Sequence, residues 1–136
     1  MSAAAAEAHM LAALLDTLLP GGDGFPAAGG LAGVGPRVAD AARPVLALLP
    51  AGFAARDADA REAVLRGIEA EAPAMFGRLV TALYLAYYVQ PEVHAVLARD
   101  HGYAARPPQP AGHELPPFDP ALLDRQQQRA PFWRDA

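Results

Sequence analysis

The side chains that could perform chemistry are few and widely spaced along this 136-residue chain. The histidines form no His-x-x-x-His pair and no cluster with a carboxylate, the spacings by which a helix presents ligands to a metal ion. We therefore predict no metal site. We expect the histidines to lie at the surface or to form hydrogen bonds; they are His9, His94, His101 and His113.

Groups for acid–base or nucleophilic catalysis are equally sparse. The absence of cysteine excludes thiolate nucleophiles and cysteine-ligated zinc. The single serine, Ser2, stands at the N-terminus, where no base can be positioned beside it. The helical carboxylates Asp16, Asp40, Glu69 and Glu71 fall on solvent-facing sides, so no pair is expected in an apolar pocket. We predict that the chain is not itself an enzyme, and a self-sufficient helical enzyme is the weaker alternative.

One glycine-rich segment, Gly22 to Ala27, formally matches the dinucleotide-binding fingerprint. That fingerprint requires a strand before it and a helix opening within it. Here a predicted helix precedes the segment and Pro26 breaks the turn. We predict that the chain binds no cofactor of its own and that residues 21–35 form a flexible connection between helices.

The elements that must position these residues are predicted to be helices alone, because no run of residues alternates with a period of two. The fold class is an all-α, compact bundle of about five helices. In the second helix Pro44 predicts a kink or a split, and in the third Asp59 with Glu62 predicts a capping box. The predicted helices are 3–19, 36–49, 59–72, 74–89 and 91–100, with Gly102 as the C-terminal breaker of the last.

The stretch from Ala74 to Val89 is the most apolar, with Arg78 as its only charge. Apolar residues occur on every side of this helix, which predicts a central element wrapped by its neighbours or by a partner protein. Only the eleven residues from Leu79 to Val89 follow the charge, too few to span a membrane. The net charge of −4 also argues against a nucleic-acid partner.

The composition changes at Tyr103, which predicts a helical domain over residues 1–102 and a proline-rich arm over 103–136. Seven of the fourteen prolines lie between Pro107 and Pro131, a density typical of extended backbone. Only Asp119 to Arg129 is expected to coil briefly, with Pro120 in its first turn. The arm also carries large apolar side chains, so it either packs on its own helices or lies along a groove of another protein.

Aromatic residues supply the candidate binding site. Tyr84, Tyr87 and Tyr88 crowd the end of the apolar helix, and adjacent residues on a helix point in different directions, so one of the last two should reach the surface. Core aromatics are the competing interpretation. The predicted partner-binding residues are Tyr84, Tyr87, Tyr88, Tyr103, Pro107, Pro108, Leu115, Phe118, Leu122, Phe132 and Trp133.

Three segments, in this order, resemble landmarks of the gluconate 2-dehydrogenase subunit 3 family. They are Leu18 to Pro26, then Tyr87 to Val93 with Gly102-Tyr103, then Pro107 to Gly112 leading to Pro117 to Leu123. The resemblance implies a small helical accessory subunit of a flavin-dependent oxidoreductase of the glucose-methanol-choline type. FAD and the oxidation of a sugar or alcohol would then belong to the large partner subunit.

The start of the chain departs from that family, whose exported members open with a twin-arginine signal. Met1 to Met10 shows no such signal, which favours a cytoplasmic complex, or a periplasmic one if the partner is exported. A generic helical interaction module with a non-flavin partner is the main alternative to the subunit assignment.

Overall fold

A computed structural model describes residues 2–103 and 117–129, and throughout this part of the chain the regular structure is helical. The predicted all-α class is therefore confirmed. The chain divides into two compact units, Met1–Ala105 and Arg106–Ala136. The α-helices are α1 (Ala3–Leu18), α2 (Val34–Leu46), α3 (Ala58–Glu71), α4 (Pro73–Tyr87), α5 (Pro91–His101) and α6 (Asp124–Gln127), and 3₁₀ turns occur at Ala28–Gly30, Phe53–Ala55 and Pro120–Leu123.

The first unit is built on a stripe of leucines along α1 and its C-cap, whose spacings of three and four place them on one face, namely Leu11, Leu14, Leu15, Leu18 and Leu19. Leu14 and Leu15 are fully buried, while the other stripe leucines pack at the edge of the core. Ser2 begins the helix by accepting a hydrogen bond from the amide of Ala5, which satisfies one of its unpaired donors. Helices α2, α3 and α4 complete the core, with α4 packing against both of the others. The largest fully buried side chains are Phe53, Leu14, Leu15, Leu79, Val34, Val38, Val45 and Val93.

Helix α2 differs from its prediction at both ends. It begins at Val34, so that Pro36 lies in the first turn, where its missing N–H has no helical acceptor to lose. Pro44 lies in the last turn and removes a single hydrogen bond, so α2 runs unbroken to Leu46 and the predicted split does not occur.

The cap of α3 is also corrected. The helix begins at Ala58, one residue before its predicted start, and its N-cap is Asp57. The Asp57 carboxylate accepts a hydrogen bond from the Ala60 amide at 2.8 Å. The predicted box on Asp59 is wrong because Asp59 already lies in the first helical turn, where its backbone is helical and cannot act as a cap.

Of the two predicted coverings of α4, neighbours or a partner, its own neighbours in the described residues cover one face only, and covering by a partner stays a prediction. Its buried residues, Phe76, Leu79, Leu83, Ala86 and Tyr87, follow spacings of three, four, three and one and occupy one face. The opposite face is exposed to solvent although its composition is mostly apolar. This face is the most unusual feature of the first unit, because a surface helix normally carries polar side chains there.

Hydrogen bonds fix the connection between α1 and α2 at two places, so it differs from the flexible connection that the sequence predicts. Gly22 and Phe25 exchange two backbone hydrogen bonds, at 3.0 and 2.9 Å, around a tight turn. Both central residues, Asp23 and Gly24, have positive φ, as a type I′ turn requires. Further along, the Asp16 carboxylate accepts a hydrogen bond from the Gly29 amide at 2.6 Å.

The close approach at Gly29 requires glycine. A side-chain carbon there would collide with the backbone carbonyl of Ala12 and lie 2.7 Å from the Asp16 carboxylate. The neighbouring Gly30 has open space around it. One glycine of this pair is therefore required by packing between the connection and α1, and the other is not.

The described part of the second unit consists of one short helical segment. Asp119 precedes Pro120 and accepts a hydrogen bond from the Ala121 amide at 3.0 Å, which caps the 3₁₀ turn before α6. The predicted brief coil between Asp119 and Arg129, with Pro120 in its first turn, is confirmed.

Candidate partner-binding surface

The exposed face of α4 ends in a cluster of large side chains. Tyr84 and Tyr88 are 47% and 48% exposed, and their rings stack with centroids 6.2 Å apart. Leu85 is 70% exposed on the same face, and Val89 follows it by one turn. We call this cluster, with Tyr103, the tyrosine surface.

Tyr87 and Tyr88 point in different directions, as their adjacency predicts. Tyr88 reaches the surface, whereas Tyr87 is 3% exposed and belongs to the core. The two rings meet edge to face, with centroids 5.3 Å apart. This geometry is favourable for an aromatic pair. Tyr87 therefore supports the tyrosine surface from below and offers almost no area to a partner, so its assignment as a contact residue is not retained.

The Tyr87 hydroxyl holds the connection between α1 and α2 against α4. It donates a hydrogen bond to the carbonyl of Pro26 at 2.7 Å, across 61 residues of sequence. Burial, and secondarily the neighbouring Tyr88, raises the pKa of Tyr87, so the hydroxyl keeps its proton well into the alkaline range. Two of the three landmark segments, residues 18–26 and 87–93, are joined by this bond.

A small apolar pocket lies where those segments meet. It has a volume of about 220 Å³ and is lined by side chains of both segments, with Phe25 on one side and the Tyr87–Tyr88 pair on the other. The glycine at position 21 has φ +80°, and a side-chain carbon there would lie 2.7 Å from the carbonyl oxygen of Phe25. Glycine at this position therefore lets the turn close on itself.

Tyr103 is brought to the tyrosine surface by the end of α5. Gly102 ends this helix in the left-handed conformation, as predicted, and the Tyr103 amide bonds back to the Leu97 carbonyl at 3.3 Å. The Tyr103 ring then lies 5.9 Å from the ring of His94. His94 donates from Nε2 to the Tyr88 carbonyl at 2.6 Å, one of the two roles, surface or hydrogen-bonding, that the sequence predicts for the histidines.

Beside the tyrosine surface runs an open groove of about 620 Å³ along α4. We call it the α4 groove; its lining residues are Ala74, Gly77, Arg78, Thr81, Ala82 and Leu85. Arg78 is its only charged residue. Within residues 2–103 and 117–129, the salt bridges are formed by other arginines, namely Arg43, Arg66 and Arg99.

The other predicted contact residues fall in the second unit. Phe118 and Leu122 are both exposed there. Pro107, Pro108, Leu115, Phe132 and Trp133 lie outside the described residues. In the described ranges, no helix has the length and apolar character needed to cross a bilayer, and no three acidic or histidine side chains are grouped to hold a metal ion.

Comparison with protein-family models, with curated proteins and with solved structures finds no match to this chain. The family resemblance therefore rests on the motifs of the sequence alone.

Sequence reasoning missed two members of the site. The sequence predicts Leu85 and Val89 in a helix wrapped by its neighbours or by a partner; in the structure both side chains are exposed, and Val89 lies just beyond the end of α4. Leu85 and Val89 follow Thr81 at spacings of four, which places them opposite the stripe through Leu79 and Leu83. Burial of one stripe could not be assigned without knowing which neighbours α4 has.

Proposed function

We propose that this chain is a non-catalytic small subunit that binds and stabilises the large FAD-dependent subunit of a sugar or alcohol oxidoreductase of the glucose-methanol-choline type. The observation that carries the binding part of the proposal is the tyrosine surface. Half-exposed tyrosines beside exposed Leu85 and Val89 have the composition of an interface core, rich in aromatic residues and poor in charge.

The tyrosine surface is also preorganised. Stacking of Tyr84 on Tyr88, the edge contact with Tyr87 and the bond from His94 to the Tyr88 carbonyl restrict its side chains before any partner arrives. Ordering a side chain at an interface costs about 0.5–1.5 kcal/mol, so restriction beforehand lowers the entropic cost of association.

The identity of the partner is proposed from the landmark segments. The hydrogen bond from Tyr87 to Pro26 joins the first segment to the second, which supports treating them as parts of one structural unit. In this proposal FAD and the reacting groups belong to the large subunit. The small subunit acts by mass action: a partner present at about 100 times its dissociation constant adds about 2.7 kcal/mol to the stability of the fold it binds.

Affinity capture from a lysate of the native host tests the proposal. The tagged chain is expected to retain one larger protein with flavin absorbance. Replacement of Leu85 by aspartate should abolish that capture, because a carboxylate would be desolvated in the contact. The matched control is Leu48→Asp, which changes another exposed leucine that lies just after the C-terminal end of α2 and outside the tyrosine surface.

Three outcomes would contradict the proposal. Equal capture by Leu85→Asp and by the wild type would remove the tyrosine surface from the interface. A retained partner without flavin would favour a generic helical interaction module. Turnover of a panel of sugars and alcohols by the purified chain alone would favour a self-sufficient enzyme.

A further inference from the structure

We infer that the α4 groove receives a helix of the partner and that this helix presents a carboxylate to Arg78. The inference rests on the proposed function and specifies which element of the large subunit binds here. It is carried by the shape of the groove, by its single charge and by the hydrogen-bonding state of α4.

The shape suits a helix of about three turns. Ala74, Gly77 and Thr81 lie three and four residues apart and form a shallow floor, with Leu85 at its end. Residues 74–85 cover roughly 16 Å at about 1.5 Å per residue. Small side chains along this length let the axis of a second helix approach to about 8–10 Å or closer.

The charge defines the chemistry of the occupant. Arg78 is the only charged side chain of the groove, and no acidic residue lies beside it in the groove lining. Covering this guanidinium with an apolar surface would remove its hydration without replacement, at considerable cost. An occupant that carries Asp or Glu opposite Arg78 replaces that hydration with a planar, bidentate ion pair.

The backbone argues for a helix over an extended segment. Beyond its first turn, the N–H and C=O groups of α4 along the groove are bonded within the helix and present no edge with which a strand could pair. An extended occupant would bury its own backbone groups without partners, whereas a helix satisfies them internally. The occupant is therefore an apolar helical face interrupted by one acidic residue.

Two glycines provide a matched pair of variants. Gly77 lies in the α4 groove and Gly67 lies on α3, and a side-chain carbon at either position would meet nothing within 4 Å. Leucine at either site should therefore leave the fold intact and improve helix propensity. The probe is the flavin-containing large subunit captured by the wild-type chain, expressed alone and titrated against each variant in biolayer interferometry.

We expect Gly77→Leu to weaken binding by at least about tenfold, because it fills the groove, and Gly67→Leu to bind as the wild type does. Arg78→Glu should weaken binding to a similar degree, and Arg78→Lys should weaken binding less because it keeps the positive charge. Equal affinity of Gly77→Leu and wild type would overturn the inference that the α4 groove binds a partner helix, and would leave the proposed function intact. Failure of the wild type to retain any flavoprotein would overturn both.

A photo-crosslinking residue in place of Thr81 identifies the occupant directly. Mass spectrometry should find the crosslink on a helical, acid-containing segment of the large subunit. A crosslink to a second copy of this chain, to another part of the same chain, or to a partner segment without Asp or Glu would overturn the inference. Circular dichroism of each variant establishes that its helices are retained.

Discussion

Replacing Tyr87 by phenylalanine tests how the tyrosine surface is supported. The substitution removes one oxygen atom and keeps the ring, so the core loses no packing. It leaves the half-buried carbonyl of Pro26 without the donor that lies 2.7 Å away in the wild type. A hydrogen bond contributes about 0.5–1.5 kcal/mol net, and an unsatisfied buried acceptor costs about 1–3 kcal/mol.

We therefore expect Tyr87→Phe to lower the free energy of unfolding by about 1–2 kcal/mol. For a domain of this size each kcal/mol corresponds to roughly 4–8 °C in Tm. Thermal unfolding, followed by the circular dichroism of the helices at about 222 nm, measures the change. The control is Tyr84→Phe, because no residue of the described chain bonds the Tyr84 hydroxyl, and its effect should stay within about 0.5 kcal/mol.

The pH dependence provides a second signature of the same bond. The raised pKa of Tyr87 means that the folded chain holds this proton more tightly than the unfolded chain does. Above the ordinary tyrosine pKa of about 10 the unfolded state loses the proton first, so stability decreases as pH rises. The difference in free energy of unfolding between the wild type and Tyr87→Phe should be constant below that pH and decrease above it. A Tm for Tyr87→Phe equal to that of Tyr84→Phe at neutral pH would refute the reasoning.

Three further experiments test other parts of the structure. Gly29→Ala should cost about 1–3 kcal/mol by overpacking against α1, whereas Gly30→Ala should be nearly neutral; equal Tm values would contradict the close approach. Asp57→Ala should lower the free energy of unfolding by about 0.5–2 kcal/mol because the α3 cap is lost, and Asp59→Ala is the control. A larger loss for Asp59→Ala than for Asp57→Ala in urea unfolding would support the capping box instead. Truncation after Gly102 should abolish retention of the flavoprotein while the helical circular dichroism persists; undiminished affinity would show that residues 103–136 are dispensable.

Much of the fold is predictable because several signals agree at the same positions. The leucine stripe of α1, the prolines that open α4 and α5, and the glycine that ends α5 combine periodicity with a start or stop residue. The errors occur where two candidates compete locally. Asp57 and Asp59 both precede a helical pattern, and only the backbone conformation of each residue decides which one caps α3.

The site is less predictable because it depends on packing between distant segments. By its spacing Tyr87 continues the buried stripe through Leu79 and Leu83, but the acceptor of its hydroxyl, the carbonyl of Pro26, lies 61 residues away and cannot be assigned from the local sequence. The requirement for Gly29 likewise arises from its contact with α1. Composition also does not decide between the two predicted coverings of α4, neighbours or a partner; in the described residues its neighbours cover one face only.

Sedimentation velocity followed at the flavin absorbance tests the central claim most directly. The account predicts that adding this chain to the large subunit shifts the flavin boundary to a faster-sedimenting species, and that the chain carrying Leu85→Asp leaves the boundary unchanged. The account is contradicted if the sedimentation rate of the flavin boundary stays the same at every concentration of the wild-type chain below the onset of its self-association.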